Sequence, residues 1–463
     1  MNSYQSIFNS QKTFFIQELR TQSISSRVKK LKTLKKWIKK NEKIICAEIK
    51  KDFNKGTEEV LLTEIKPILD EINHAINHIY DWTREEKVPT PLGFIGSKSK
   101  IIIEPKGVTL IIAPWNYPFN LCIGPLVSVI AAGNTAIIKP SENTPHTAEL
   151  IKKMIAELFQ EQEVTAITGD YLVSQELLKL PFDHIFFTGS PQVGKIVMKA
   201  AAENLTSVTL ELGGRNPVIV DETANIKDAA QKIVWGKFLN SGQTCIAPNY
   251  VYVHESKKAE LEKELIKQIE IQFSKKNTEV SHIVNKNHFD RINSLLEESI
   301  KRGAELKYGG RKLEDINYLS PSILSNVTKD SPVFQDEIFG PLLPILTFNK
   351  LEETIKTINE IEKPLALYVF SKSRKNQHFI IQNSSAGTTA INETTIQFAQ
   401  PNLPFGGVNH SGIGKAHGKY GFIEFSNQRA VLKQRVGLTS LKLIFPPYTN
   451  FKRKLIRFIT FRL

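Results

Sequence analysis

A chain of 463 residues with 41% hydrophobic and 23% charged residues is too long for one simple core, and its composition is neither disordered nor fibrous, so two or three soluble domains are expected. Its three cysteines, Cys46, Cys122 and Cys245, are far apart and odd in number, which speaks against a disulfide framework or a CxxC zinc knuckle and suits a reducing compartment. The net charge of +14 gathers on Lys29–Lys43 and Lys452–Arg462 without a nucleic-acid motif beside it, so no nucleic-acid partner is expected.

Met1 to Arg20 lacks a basic start followed by an apolar run, so no secretory signal is expected. No window of about 18 uninterrupted apolar residues occurs, which speaks against a spanning helix. Val28, Leu31, Leu34, Ile38 and Ile45 recur near helical spacing and predict an amphipathic helix over Ser26 to Ile49. Leu61, Ile65, Ile68, Leu69 and Ile72 predict a second over Thr57 to Tyr80. Pro89, Pro91, Gly93 and Gly96 then break the pattern. Short β-branched runs at Gly107–Ala113, Thr135–Lys139, Val164–Thr168, His184–Thr188 and Val208–Glu211 alternate with helical segments, the pattern of a parallel, doubly wound sheet. After Gly213-Gly214 the alternation restarts with strands at Pro217–Val220, Tyr250–Val253, Leu343–Phe348, Leu367–Phe370 and Thr388–Ile391, a second α/β unit. Pro401 to Gly418 reads as a glycine-rich loop, and Ala430 to Gln434 as a late strand.

Several residues carry chemistry. Lys139 ends a predicted parallel strand, the edge where open α/β sheets bind ligands. Its amine and the Glu142 carboxylate suit ribose hydroxyls, and a carboxylate there repels a 2′-phosphate; a surface lysine is the competing reading. Gly189, Ser190 and Pro191 form a turn and a helix start, either an ordinary capped helix or a phosphate site. The usual GxGxxG fingerprint is absent. Glu211 lies between leucines at a strand end, where partial burial raises a carboxylate towards the range of a general base; a glutamate tied by backbone N–H groups is the alternative. Cys245 follows Gly242-Gln243-Thr244 and precedes Pro248, so it sits on a turn, although an isolated cysteine there would be expected to be inert. Cys46 and Cys122 have apolar neighbours and read as core. Asn116, within Pro114-Trp115-Asn116-Tyr117-Pro118, offers an amide. Thiol, carboxylate and amide are the nucleophile, base and oxyanion donor of an acyl-transfer site.

Pro-Trp-Asn-Tyr-Pro at 114–118, Lys-Pro-Ser-Glu at 139–142, Phe-Thr-Gly-Ser at 187–190, Glu-Leu-Gly-Gly at 211–214, Gly-Gln-Thr-Cys at 242–245, Glu-Ile-Phe-Gly-Pro at 337–341 and Pro-Phe-Gly-Gly at 404–407 follow one another in this order. Together they resemble the aldehyde dehydrogenase superfamily, over a match running from about residue 10 to about residue 440. Gly-Gln-Thr-Cys-Ile-Ala-Pro and the tail Ile444–Tyr448 look like the class 3 branch, which includes enzymes for fatty and aromatic aldehydes. The chain departs from that branch at Asn249, where Asp is frequent, at Asn392-Glu393, where Asn-Asp is frequent, and at Asn409, where glycine is common. These departures bear on substrate preference and not on the nucleophile or base.

The resemblance implies two doubly wound α/β domains, a variant Rossmann cofactor domain and a catalytic domain, with a small β bridging element. The expected division is residues 1–83 and 104–210 for NAD(P) binding, 211–400 for catalysis, 84–103 and 401–440 for bridging and oligomerisation, and 441–463 for a basic amphipathic tail. It further implies oxidation of aldehydes, medium- or long-chain aliphatic or aromatic, to carboxylic acids. Cys245 would attack the carbonyl, Asn116 and the Cys245 N–H would hold the oxyanion, and Glu211 would activate water against the thioester. One oxyanion donor contributes roughly 3 kcal/mol. NAD is the expected cofactor, with room left for NADP. Its site would comprise Pro114, Trp115, Lys139, Glu142, Thr188, Gly189, Ser190, Val193, Gly194, Leu212 and Gly213, with Glu337 on the nicotinamide ribose and Phe339 beside it. Tyr117, Asn392 and Phe405 would line the substrate pocket, and no metal is expected. A homodimer and a cytoplasmic location are implied.

Two other readings stay open at this point. A coenzyme A-acylating reductase on the same scaffold discharges the thioester with a thiol and needs no base, which Glu211 argues against. A non-catalytic membrane-surface protein would not need Asn116, Glu211 and Cys245 together. In the tail, Phe451, Leu455, Ile456, Phe458, Ile459 and Phe461 mix with Lys452, Arg453, Lys454, Arg457 and Arg462. That is either a helix packed on protein or an interfacial helix on anionic lipid.

Overall fold

The computed structural model describes residues 3–273, 280–437 and 439–462. The expected long helix at the N-terminus is two, Ile24–Lys40 and Glu42–Phe53. Asn41 separates them: its side-chain amide donates to Trp37 O at 2.9 Å and closes the first helix. The next helical stretch also departs from one continuous helix. Thr57–Val60 opens into a wide turn over Leu61–Ile65 before Lys66–Trp82. Pro67 has no N–H for the Thr63 carbonyl, and Asn120 supplies the missing donor at 3.0 Å. This ties the helix to the functional centre.

β1 (Glu86–Val88) and β2 (Ser97–Pro105) flank the irregular segment around Pro89, Pro91, Gly93 and Gly96, and the sequence pattern does not predict either strand. β3 (Val108–Ile112), β4 (Thr135–Lys139), β5 (Val164–Ala166), β6 (His184–Gly189) and β7 (Ser207–Leu212) then alternate with helices, as the pattern predicts. They form a parallel sheet in the order β7-β6-β3-β4-β5. After β7 the chain crosses to β8 (Pro217–Val220), β9 (Tyr250–His254), β10 (Glu305–Tyr308), the ribbon β11 (Lys312–Leu313) and β12 (Tyr318–Leu319), β13 (Ser322–Ser325), β14 (Leu342–Phe348), β15 (Ala366–Phe370) and β16 (Thr388–Ile391). The second sheet runs β10-β13-β14-β9-β8-β15-β16, parallel except for β10. The strands β10 and β13 are too polar and too short for the apolar-run pattern to reveal.

The chain finally returns to the first sheet. β17 (Gly412–Ile413) lies antiparallel on β7, with Gly412 opposite Glu211. β18 (Ser426–Gln434) starts before the expected Ala430 and pairs antiparallel with β2 from Ser426↔Pro105 to Gln434↔Ser97. The architecture is therefore two α/β sheets joined by a small β element. The carboxyl ends of β4, β6 and β7 and the start of β8 lie at the crossing between the two sheets.

The helix Asn120–Ala132 is apolar all round and almost wholly buried. Its first N–H groups, from Phe119 and Asn120, donate to Glu64 Oε2 at 3.2 and 2.9 Å. That carboxylate satisfies orphan donors and complements the positive helix end. Cys122 on this helix and Cys46 are buried, as expected of core thiols.

Candidate active site

Cys245 follows the helix Ile226–Phe238 and a short 3-10 turn, Leu239–Gly242. Asn240, Ser241 and Gly242 take φ of 53°, 55° and 74°, three left-handed residues in succession. Such backbone is costly for non-glycine residues and needs support from its surroundings. The support is polar. Asn240 N–H donates to Glu59 Oε1 at 2.8 Å, and its side-chain amide donates to Asn116 O at 2.8 Å. At Gly242 a Cβ would stand 2.3 Å from Gly340 O, so only glycine fits the turn.

Asn116 lies against this loop, its amide donating to Gln243 O at 3.0 Å. Tyr117 OH pairs with Thr244 Oγ1 at 2.7 Å. Beneath them Lys55 Nζ bonds Glu64 at 2.8 Å and Asn116 O at 3.2 Å, and lies 4.3 Å from the Tyr117 ring centre. From the other sheet, Asn216 donates to Cys245 O at 2.7 Å and Ala247 O at 3.0 Å. Lys55, Glu59, Glu64, Asn120, Asn216 and Asn240 escaped the sequence reading. Asn120, Asn216 and Asn240 stand beside recognisable motifs, but Lys55, Glu59 and Glu64 lie far from any in sequence and carry no local signal.

The thiol is half-buried. Burial, followed by the charges of Glu211 and Glu337, pushes it up to about 12. Glu211 is buried on β7, and neither of its oxygens has a hydrogen-bond partner among the described residues. Burial raises it well above the ordinary carboxylate range, with Lys415 opposing and Glu424 reinforcing the shift. A carboxylate so placed is a stronger base than an exposed one.

The expected cofactor residues line the carboxyl edge of the first sheet. Lys139 closes β4, is buried, and meets Glu142 at 2.6 Å. Thr188 and Gly189 end β6. Ser190 caps the helix Pro191–Ala202 through the Val193 N–H, leaving a helix start at the sheet edge. At Gly194 a Cβ would stand 2.8 Å from Leu212, so glycine lets this helix approach β7 closely. At Gly213 a Cβ would stand 2.3 Å from both Glu337 oxygens, and the Gly214 N–H donates to Glu337 at 3.1 Å. Burial raises Glu337 to about 7, against the pull of that N–H, Arg291 and Lys237. Phe339 stands edge-on to Trp115 at 5.4 Å, next to Pro114. A buried amine paired with a carboxylate, a capped helix start and a second carboxylate seated on a glycine pair fit a dinucleotide with ribose hydroxyls and phosphates.

Two cavities meet at Cys245. One, of about 150 Å³, runs between Leu62, Tyr117, Leu121, Trp235, Ile396 and Phe398. Tyr117 therefore lies where a substrate residue was expected. Phe405 borders the thiol from the other cavity and packs edge-on against Phe398 at 5.0 Å. Asn392 lines neither of these two cavities. Its amide clips the ends of β15 and β16, accepting the Ser371 N–H at 2.9 Å and donating to Ser371 O at 3.0 Å.

The fold and the site define an oxidoreductase of the α/β nucleotide-binding class. The profile of the aldehyde dehydrogenase family matches residues 5–431, and the chain belongs to that family. The 4,4'-diaponeurosporen-aldehyde dehydrogenase of Staphylococcus aureus is 46% identical over 452 residues, covering 97% of each chain. The dimeric NADP-preferring aldehyde dehydrogenase of Rattus norvegicus is 39% identical over 432 residues, covering 92% of this chain and 94% of that one. A solved substrate-bound state of Staphylococcus aureus AldH superposes with a TM-score of 0.95 at 44% identity, over 99% of this chain and 100% of that one. Family 3 aldehyde dehydrogenases are also among the matches, which agrees with the class 3-like motifs. The chain is thus an NAD(P)-dependent enzyme of aldehyde oxidation.

Proposed function

We propose that Cys245 is the nucleophile, Glu211 the base and Asn116 the oxyanion donor in oxidation of apolar aldehydes to carboxylic acids. One observation carries this reading: the half-buried thiol stands where an apolar tunnel meets a chamber holding a buried carboxylate with no partner. An aldehyde enters by the tunnel and its carbon bonds to Cys245 Sγ. An amide has two N–H groups; one of Asn116's is held by Gln243 O, and the other serves the oxyanion together with the Cys245 N–H. Lys139, Glu142, Ser190 and Glu337 would hold the dinucleotide, which when bound would supply the two-electron oxidation that leaves the acyl group on Cys245 as a thioester. Glu211 then takes a proton from water as the water oxygen attacks the thioester. An uncommitted carboxylate supports hydrolysis over transfer to coenzyme A.

The apolar tunnel supports medium- or long-chain aliphatic or aromatic aldehydes as substrates. The Lys139–Glu142 pair supports NAD over NADP, since Glu142 repels a 2′-phosphate. The likeness to a dimeric relative supports a homodimer. No described helix is long and apolar enough to cross a membrane. The helix Asn450–Arg462 exposes Phe451, Phe458, Ile459 and Phe461 among basic residues, which supports peripheral contact of a cytoplasmic enzyme with anionic lipid.

Rapid mixing tests the central reading. Cys245→Ala is expected to abolish oxidation, and Glu211→Gln to give one fast burst of NADH followed by slow turnover. Wild-type steady-state turnover in Glu211→Gln would remove that residue from the base role.

A further inference from the structure

The chamber behind Glu211 has a volume of about 50 Å³ within largely apolar walls, room for a few waters held by its polar side chains. Among the residues lining it, the titratable ones are Glu71, Glu211, Cys245 and His417. Glu211 and Cys245 are the reacting pair. Glu71, on the helix Lys66–Trp82, and His417, just before the helix Gly418–Glu424, have no part in the chemistry described so far.

These two residues form a unit. Glu71 Oε1 accepts the Gly418 N–H at 2.8 Å, and its other oxygen lies 3.7 Å from His417 Nδ1. The Glu71 side chain is 7% exposed and that of His417 18%, so the pair leads from the chamber towards solvent. His417 is held at φ 69°, a left-handed value that a non-glycine residue seldom adopts. Its ring stands edge-on to Phe398 at 4.5 Å and Phe405 at 5.4 Å. Of the other charged or titratable groups on the packed elements, His74 stands beside Gly418 on the Glu71 helix, with His78 next to it, and Lys415 and Glu424 lie around β17.

We propose that this chamber is a proton outlet, in which Glu71 and His417 hand to solvent the proton that Glu211 removes from the hydrolytic water. The proposal rests on Glu211 being the base. In hydrolysis an O–H bond of water breaks while its oxygen bonds the acyl carbon. The electron pair of the C–S bond leaves with sulfur, and the proton goes to a Glu211 oxygen. Glu211 must lose that proton before it can serve again, and among the described residues its oxygens have no partner to accept it. A chamber water takes it and passes one of its own protons to Glu71, from which His417 delivers a proton to bulk water. No redox partner is needed, and Glu211 ends as the carboxylate it was.

Glu71→Gln retains an acceptor for the Gly418 N–H, and His417→Asn retains a polar side chain that cannot take up a proton. Each is expected to keep the NADH burst and to lower steady-state turnover by about tenfold, a modest share of what a proton-transfer group contributes. Each should also enlarge the solvent deuterium effect on kcat, and added imidazole should restore the rate. Wild-type turnover in both variants would overturn the outlet, as would slow turnover that responds to neither imidazole nor deuterium. Glu211→Gln measured alongside separates the two ideas. If it stalls as acyl-enzyme while the outlet variants match wild type, the outlet alone is wrong. If it turns over normally, the base reading fails and the outlet with it.

Discussion

The side-chain amide of Asn216 donates to the main-chain carbonyl of Cys245 at 2.7 Å, while its own oxygen accepts the Ala366 N–H at 2.8 Å. Standing between β7 and β8, it fixes the thiol loop to the second sheet. Alanine here leaves the buried partners unpaired, at about 1–3 kcal/mol each. It also frees the loop, and a misplacement of about 1 Å can cost a hundredfold in rate. Asn216→Ala is expected to lower kcat/KM by about ten- to a hundredfold and to lower the melting temperature. Steady-state kinetics and a thermal melt check this, and an unchanged kcat/KM would mean that the loop is held elsewhere.

The thiol has its own pH signature. Because Cys245 is pushed up to about 12, its thiolate is the minor form in the free enzyme at neutral pH. Below the pKa the thiolate fraction grows tenfold per pH unit, so alkylation by iodoacetamide should climb about tenfold per unit between about pH 6 and 9 without levelling. Glu211→Gln removes a charge that opposes the thiolate and should speed alkylation at fixed pH. The gain is partial, because burial is the larger cause of the shift. A plateau near neutral pH in the free enzyme would contradict this account.

Much of this was readable from residue order. The strands β3, β4 and β6 each centre on a short apolar run, and such runs declare buried parallel strands. The motifs around Asn116, Glu211 and Cys245 likewise named residues that the fold gathers at one crossing. What stayed hidden is long-range and polar. Nothing local in Lys55 or Glu64 announces that they meet in the interior below Asn116. Asn41 and Pro67 interrupt helices whose apolar spacing continues across the break, so periodicity ran straight through them. Asn392 shows the opposite difficulty: a polar residue at a strand end looks the same whether it faces a ligand or, as its bond to Ser371 shows here, clips two strands together.

The buried pair offers a stability test. Lys55 Nζ lies 2.8 Å from Glu64 Oε1, and both side chains are fully buried. Lys55→Met strands a buried carboxylate, a change that costs about 3–5 kcal/mol. It also removes the anchor of Asn116 O. The variant is expected to unfold at lower denaturant and to lose turnover, and adding Glu64→Gln should recover part of the stability, because the stranded charge is gone. Chemical denaturation of the single and double variants decides, and wild-type unfolding in Lys55→Met would show the pair to be dispensable.

The tunnel predicts how rate depends on aldehyde length. Its walls are Leu121, Trp235, Leu239, Ile246 and Phe398, with Leu62 and Ile396 at the rim, 57% and 51% exposed. Each methylene that leaves water there contributes about 0.8 kcal/mol, so kcat/KM for linear aldehydes should rise about fourfold per methylene. The rise should stop when the chain reaches Leu62 and Ile396, because further methylenes stay in water. A charge on the substrate chain would be buried without a partner, so ionic aldehydes should react poorly. Trp235→Ala removes one wall, which should lessen the gain per methylene and admit bulkier aromatic aldehydes. Initial rates across a homologous series measure the slope directly, and a profile flat from the shortest member upward would show that the tunnel does not hold the substrate chain.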